Sequence, residues 1–142
     1  MYKAGWTEIT NVDYSQPLID QMAQRSKHCP LMTWECADIF NLLNHFPTKR
    51  FDVAIDKGTL DALLTIKHDP WNPPDTLVSQ MQNYMHQVAS VLVPGGIFIH
   101  ITFAQPHFRK RFLERDDWKV EVHVLGGDSD AFEYFLYTCQ KT

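Results

Sequence analysis

Apolar positions along this chain fall in short blocks whose spacing switches between strand-like and helical, and the switches mark the elements. Phe51 to Ile55 is an apolar run that stops at Asp56-Lys57-Gly58, which predicts a buried strand followed by its carboxyl-end turn. Val53 and Ile55 read as core. Ligands of open α/β sheets sit at that end of a strand, so Asp56, Lys57 and Asp61 are candidates for a site. The stretch equally admits a structural reading, with Asp56 capping a helix over Thr59 to Leu64 and Lys57 merely solvated.

Upstream, Met1 to Trp6 has the form of a helix's last turn closed by Gly5. Thr7 to Val12 alternates weakly and predicts a strand ending at Asp13-Tyr14-Ser15. Pro17, well placed in a first turn, opens a helix that carries Leu18, Ile19, Met22 and Ala23 toward Lys27. Leu31 to Glu35 predicts a second strand with Cys36-Ala37-Asp38 at its carboxyl end, and Ile39 to Phe46 a helical turn or an irregular connection.

Downstream, the three prolines of Asp69-Pro70-Trp71-Asn72-Pro73-Pro74 impose a loop. Asp75 or Thr76 then caps a long helix, Leu77 to Leu92, whose Val78, Met81, Met85, Val88, Ala89 and Leu92 share one face. Pro94-Gly95-Gly96 turns the chain into Ile97 to Phe103, a strand apolar enough for an interior position. A short helix runs from Pro106 to about Arg115. Trp118 to Val124 alternates as a strand, and Gly126-Gly127-Asp128-Ser129-Asp130 predicts a hairpin turn before a last strand, Phe132 to Cys139.

One domain spanning residues 1–142 is the expected count for this length. Hydrophobic residues at 44% argue against disorder, and a formal charge of −4 gives no push toward nucleic acid. Three cysteines, Cys29, Cys36 and Cys139, show no CxxC spacing, and the seven histidines fall in unrelated segments. Neither a disulfide framework nor a metal site is expected, and a reducing, cytoplasmic setting is. No apolar run approaches the ~20 residues of a membrane helix. Arg109-Lys110-Arg111 reads as an exposed helix face, His107 as a loop or cap residue, and Cys36 as a small buried residue.

Asp13, Asp38 and Asp56 each close a predicted strand. If those strands are parallel neighbours joined by right-handed crossovers, the three carboxylates project over one rim. A nucleoside needs such an arrangement, because one carboxylate can accept both ribose hydroxyls and another the exocyclic amine of an adenine.

Asn11 to Ser15, Trp34 to Asp38, Phe51 to Leu63 and Leu92 to Gly96 together resemble the seven-strand S-adenosylmethionine-dependent methyltransferases. Asp56-Lys57-Gly58-Thr59-Leu60-Asp61-Ala62-Leu63 followed by Asp69-Pro70-Trp71 resembles the group that includes the protein-lysine methyltransferases of eukaryotic elongation factor 1 alpha. Pro106-His107-Phe108-Arg109 and the closing aromatic strand support that choice. The resemblance implies a Rossmann-like α/β sheet, mostly parallel with an antiparallel carboxyl-terminal hairpin, and S-adenosyl-L-methionine as cofactor. It implies that Asp13 holds the ribose with Tyr14 beside the adenine, and that Ala37 and Asp38 meet the adenine edge. Asp56 and Lys57 would face the methionine end and the acceptor, in a positioning role. A protein substrate of the elongation-factor type follows.

The family's first strand and its glycine-rich turn have no counterpart in these residues; Gly95-Gly96 precedes a strand, and Gly126-Gly127 belongs to a hairpin. The expectation is an amino-terminally incomplete methyltransferase that by itself binds cofactor weakly or not at all, with unpaired strand edges that favour self-association. Two other readings compete. One is a catalytically inactive, truncated form or pseudoenzyme serving as a protein-interaction module through Trp71, Pro73, Pro74 and Phe108. The other is a nicotinamide-dependent oxidoreductase, which the missing GxGxxG turn and the antiparallel hairpin disfavour.

Overall fold

A computed structural model describes residues 1–65, 69–126 and 133–142. These residues form two compact units, Met1–His45 and Phe46–Thr142.

In the first unit, a single 3-10 turn (Tyr2–Ala4) ends at Gly5, whose amide donates to the carbonyl of Tyr2. Two strands follow, β1 (Ile9–Asp13) and β2 (Met32–Cys36), paired in parallel with Asp13 opposite Cys36. Helix α1 (Gln16–Arg25), with Pro17 in its first turn, makes the crossover between them. Parallel neighbours require such a crossover. Ile19 is the buried residue of α1, while Leu18 remains 40% exposed. A 3-10 turn (Ile39–Asn41) and the short helix α2 (Leu42–His45) complete this unit.

The second unit is a four-stranded sheet in the order β3-β4-β6-β5. Strand β3 (Phe51–Asp56) pairs in parallel with β4 (Leu92–Thr102), β4 antiparallel with β6 (Tyr134–Lys141), and β6 antiparallel with β5 (Trp118–Leu125). A parallel pair thus leads into an antiparallel hairpin, as expected for the fold class. Phe132 and the turn residues Gly127 to Asp130 lie outside the described residues.

Helix α4 (Asp75–Val91) covers the sheet with Leu77, Met81, Tyr84, Met85, Val88, Ala89 and Val91 buried. Against that face lie Phe98 and Trp118, stacked at 6.0 Å, with the Tyr84 ring edge-on to Phe98 at 6.4 Å. Burying such side chains stabilises by about 1.5–3 kcal/mol each. Two ends are closed by side chains. Lys141 Nζ donates to the carbonyls of Ala89 and Leu92 at 2.7 and 3.0 Å, satisfying the last turn of α4. Trp118 Nε1 donates to Leu113 at 2.6 Å, closing α5 (Pro106–Leu113).

Three expectations are corrected. Val53 and Ile55 are 41% and 47% exposed rather than core, because both point to one face of β3, which stays open to solvent, while Asp56 points to the buried face. Pro94-Gly95-Gly96 does not precede a strand but lies inside β4, where the register slips so that Phe51 faces Leu92 and Val53 faces Ile97. The position before α4 is Pro74, with no side-chain cap, so Asp75 and Thr76 are already helical. Asp75 still favours the helix through its charge in the first turn.

Candidate functional site

The first unit brings Asp13, Tyr14, Ala37 and Asp38 together at the carboxyl ends of two adjacent parallel strands. Asp13 Oδ1 accepts the Ser15 amide at 2.8 Å, and Asp38 Oδ1 accepts the Phe40 amide at 2.9 Å. Each carboxylate is therefore oriented by the turn that follows its strand, and its second oxygen has no hydrogen bond among the described residues. The Ala37 amide donates to the Asp13 carbonyl at 3.0 Å, extending the β1–β2 ladder by one bond. Cys36 is half-buried, its thiol 3.4 Å from the Tyr14 carbonyl. Tyr14 is 86% exposed. Two oriented carboxylates, a buried alanine and an exposed ring make a rim that can accept hydroxyl and amine donors and pack against a flat heterocycle.

The second unit holds Asp56, Lys57 and Asp61. The Asp56 carboxylate is buried, with 1% side-chain exposure. Its Oδ1 accepts the Thr59 amide at 2.9 Å, and its Oδ2 accepts the Leu60 amide and the Tyr84 hydroxyl, both at 3.0 Å. Those are the orphan amides at the start of α3 (Thr59–Leu63). Of the two readings of this residue, the structural one describes its bonding, although the cap comes from two residues before the Gly58 cap position. Gly58 makes this reach possible at φ 109°, a conformation that a Cβ would penalise. Lys57 is exposed in the turn.

Asp61, one turn further along α3, is different. Thr102 Oγ1 and Arg109 Nη2 both donate to its Oδ1 at 2.7 Å, and its side chain is 31% exposed. Arg109 is thereby drawn out of the solvated face expected for Arg109-Lys110-Arg111, and Arg111 donates to the Trp71 carbonyl at 3.1 Å. Of the three, Lys110 is the exposed one. His107 stacks on Trp71 with ring centres 5.3 Å apart.

Between the two carboxylates stands His100, fully buried on β4, with Nδ1 3.9 Å from Asp56 and Nε2 4.0 Å from Asp61. Among the described residues neither ring nitrogen has a hydrogen-bond partner. Its ring stacks on Phe98 and tilts against Tyr137. Burial pushes the imidazole below its ordinary value, assisted by Arg109 and opposed by the charges of Asp56 and Asp61. Tyr84 is pushed well up, by burial first and Asp56 second, and Tyr137 by burial to about 12. Sequence reasoning named Asp61 but passed over His100, Thr102 and Tyr84. A histidine between Ile99 and Ile101 was the available signal, since a polar ring in an apolar strand demands a partner. Among the described residues no group of three or more His, Cys, Asp or Glu could hold a metal ion, and no helix is long and apolar enough to cross a membrane.

A family model described as "Methyltransferase domain" matches residues 3–131. The chain belongs to the methyltransferase-domain family. It is 37% identical over 143 aligned residues to the bovine (Bos taurus) protein named EEF1A lysine methyltransferase 4, covering 99% of this chain and 54% of that protein. It is 31% identical over 134 residues to the human (Homo sapiens) eEF1A lysine and N-terminal methyltransferase, covering 92% of this chain and 18% of that protein. The chain thus spans about half the length, or less, of these relatives. Among solved structures, the N-methyltransferase NodS of Bradyrhizobium japonicum in complex with S-adenosyl-L-homocysteine aligns at TM-score 0.63 and 17% identity, covering 93% of this chain and 65% of NodS. That likeness concerns the fold, and it agrees with the Rossmann-like sheet expected from the sequence.

Proposed function

We propose that this chain belongs to an S-adenosylmethionine-dependent methyltransferase that acts on a lysine of a protein, of the elongation factor 1 alpha type, in the cytoplasm. The observation that carries the reading is the pair of oriented carboxylates, Asp13 and Asp38, at the ends of adjacent parallel strands, each with one uncommitted oxygen. The names of the relatives support the substrate class.

The residues fit an adenosine. Asp13 would accept the ribose hydroxyls, Asp38 the adenine amine, and Tyr14 would pack on or beside the ring. Ala37, buried and without bulk, leaves room at the adenine edge. When bound, S-adenosylmethionine supplies an electrophilic methyl on a sulfonium. In-line transfer to an amine asks the protein mainly for position and orientation. Asp56 contributes by fixing the turn that presents Lys57 and starts α3, its two oxygens accepting three hydrogen bonds in doing so. Self-association through the exposed edge of β3, with Val53 and Ile55, is part of the same reading.

Calorimetric titration of the full-length protein with S-adenosyl-L-homocysteine, beside radiolabelled-methyl transfer to purified elongation factor 1 alpha, tests the proposal. Asp13→Asn is expected to weaken nucleoside binding by about tenfold or more, the scale of a lost hydrogen bond to a charged group. Transfer to a lysine is expected from the wild type. Unchanged binding in Asp13→Asn, or no labelled lysine, would overturn it.

A further inference from the structure

Resting on the lysine-methyltransferase reading, we propose that Asp61 is the carboxylate that accepts an N–H of the acceptor's ε-amino group, held for that purpose by Thr102 and Arg109. Two acids stand near one another at the carboxyl end of this sheet, and their surroundings divide the roles. Asp56 has three donors on its two oxygens and 1% side-chain exposure. Asp61 has both its donors on Oδ1, while Oδ2 has no hydrogen bond among the described residues and the side chain is 31% exposed. A carboxylate offers about four lone-pair sites, so Asp61 keeps both sites of a partly exposed oxygen, whereas Asp56 keeps one in a side chain that is 1% exposed.

The supports act on one oxygen and leave the other. Thr102 comes from the last position of β4 and Arg109 from α5, so two elements other than α3 fix the same atom. The Arg109 side chain is 13% exposed, so little water competes for its bond to Asp61, and its buried Nε has no partner among the described residues. His100 closes the inner side, its buried Nε2 4.0 Å from Oδ1 and without a hydrogen-bond partner among the described residues. Burial lowers the pKa of that ring and so disfavours a second cation beside the Asp61 charge. As the neutral amine forms its N–C bond and the methyl's S–C bond breaks to leave a thioether, positive charge passes to nitrogen, where a fixed carboxylate in a partly water-excluded setting favours it; the extra proton then leaves to solvent.

Asp61→Asn, Asp61→Glu and Thr102→Val, prepared in the purified protein, test the assignment. Asp61→Asn is expected to lower kcat for methyl transfer to elongation factor 1 alpha by about 10²-fold, the scale of one lost electrostatic contact. Its calorimetric affinity for elongation factor 1 alpha, measured with S-adenosyl-L-homocysteine present, should fall several-fold. Affinity for S-adenosyl-L-homocysteine alone should stay within twofold. Asp61→Glu should restore part of kcat, and Thr102→Val should lower kcat less than Asp61→Asn. An active wild type matched by Asp61→Asn, or parallel loss of nucleoside binding in that variant, would overturn Asp61 alone. A wild type that labels no lysine would overturn the methyltransferase reading and Asp61 with it.

Discussion

The hydroxyl of Tyr84, on α4, donates at 3.0 Å to Oδ2 of Asp56, at the end of β3, and both groups are buried. The bond crosses from helix to sheet and completes a carboxylate that already holds the first two amides of α3. It therefore ties three elements through one side chain.

Tyr84→Phe removes that donor and leaves a buried charged oxygen with one partner fewer. The expected loss is about 1.5–3 kcal/mol, the range for hydrogen bonds to charged groups. Urea denaturation of the variant beside the wild type measures it, and an unchanged midpoint would show that the carboxylate finds another donor.

His100 gives the second unit an acid-sensitive stability. Its folded value is lowered from 6.5, so on acidification the unfolded chain takes up a proton first. Stability is then full above pH 6.5, rises with pH just below it, and is lost as pH falls through the lowered folded value. The facing charges are Asp56, Asp61 and Arg109. Denaturation midpoints from pH 7 to pH 5 should fall in the wild type and fall less in His100→Gln. Asp117, lowered by its hydrogen bond from Arg115, acts only in a separate window below 3.8.

Gly96 is a packing requirement rather than a turn. A Cβ there would stand 2.9 Å from the Val93 carbonyl and 3.2 Å from that of Asp52. Because both obstacles are backbone at the β3–β4 irregularity, Gly96→Ala is expected to cost about 1–3 kcal/mol, as overpacking does. Thermal unfolding reads this directly, with Gly95→Ala as the comparison for strain at φ 77° without a clash.

The cysteines should separate by reactivity. Cys139 is fully buried and its thiol is pushed up to about 12, whereas Cys36 is half-buried. Since the thiolate is the reacting form, iodoacetamide at pH 8 should label Cys36 first, and Cys29 and Cys139 only after denaturation. Peptide mass spectrometry assigns the order, and early labelling at Cys139 would contradict the burial of β6.

Order and type of the elements were legible in the residues. The apolar runs, Pro17, Gly5 and the alternation from Trp118 are local, and local sterics and hydrogen bonding act on them whatever the rest of the chain does. The family was legible for the same reason, since the motif from Asp56 to Leu63 is contiguous. Burial was not legible, because it depends on which face of a strand another element covers. Val53 and Ile55 have core composition, yet they lie on the open face of β3. Nor could sequence divide the roles of Asp56 and Asp61. Both are acids in one motif, and the division comes from Tyr84, Thr102 and Arg109, which reach them from 28 to 48 positions away. Spacing along a chain decides what one segment can become; the donors a carboxylate finds are decided only when distant segments fold against it.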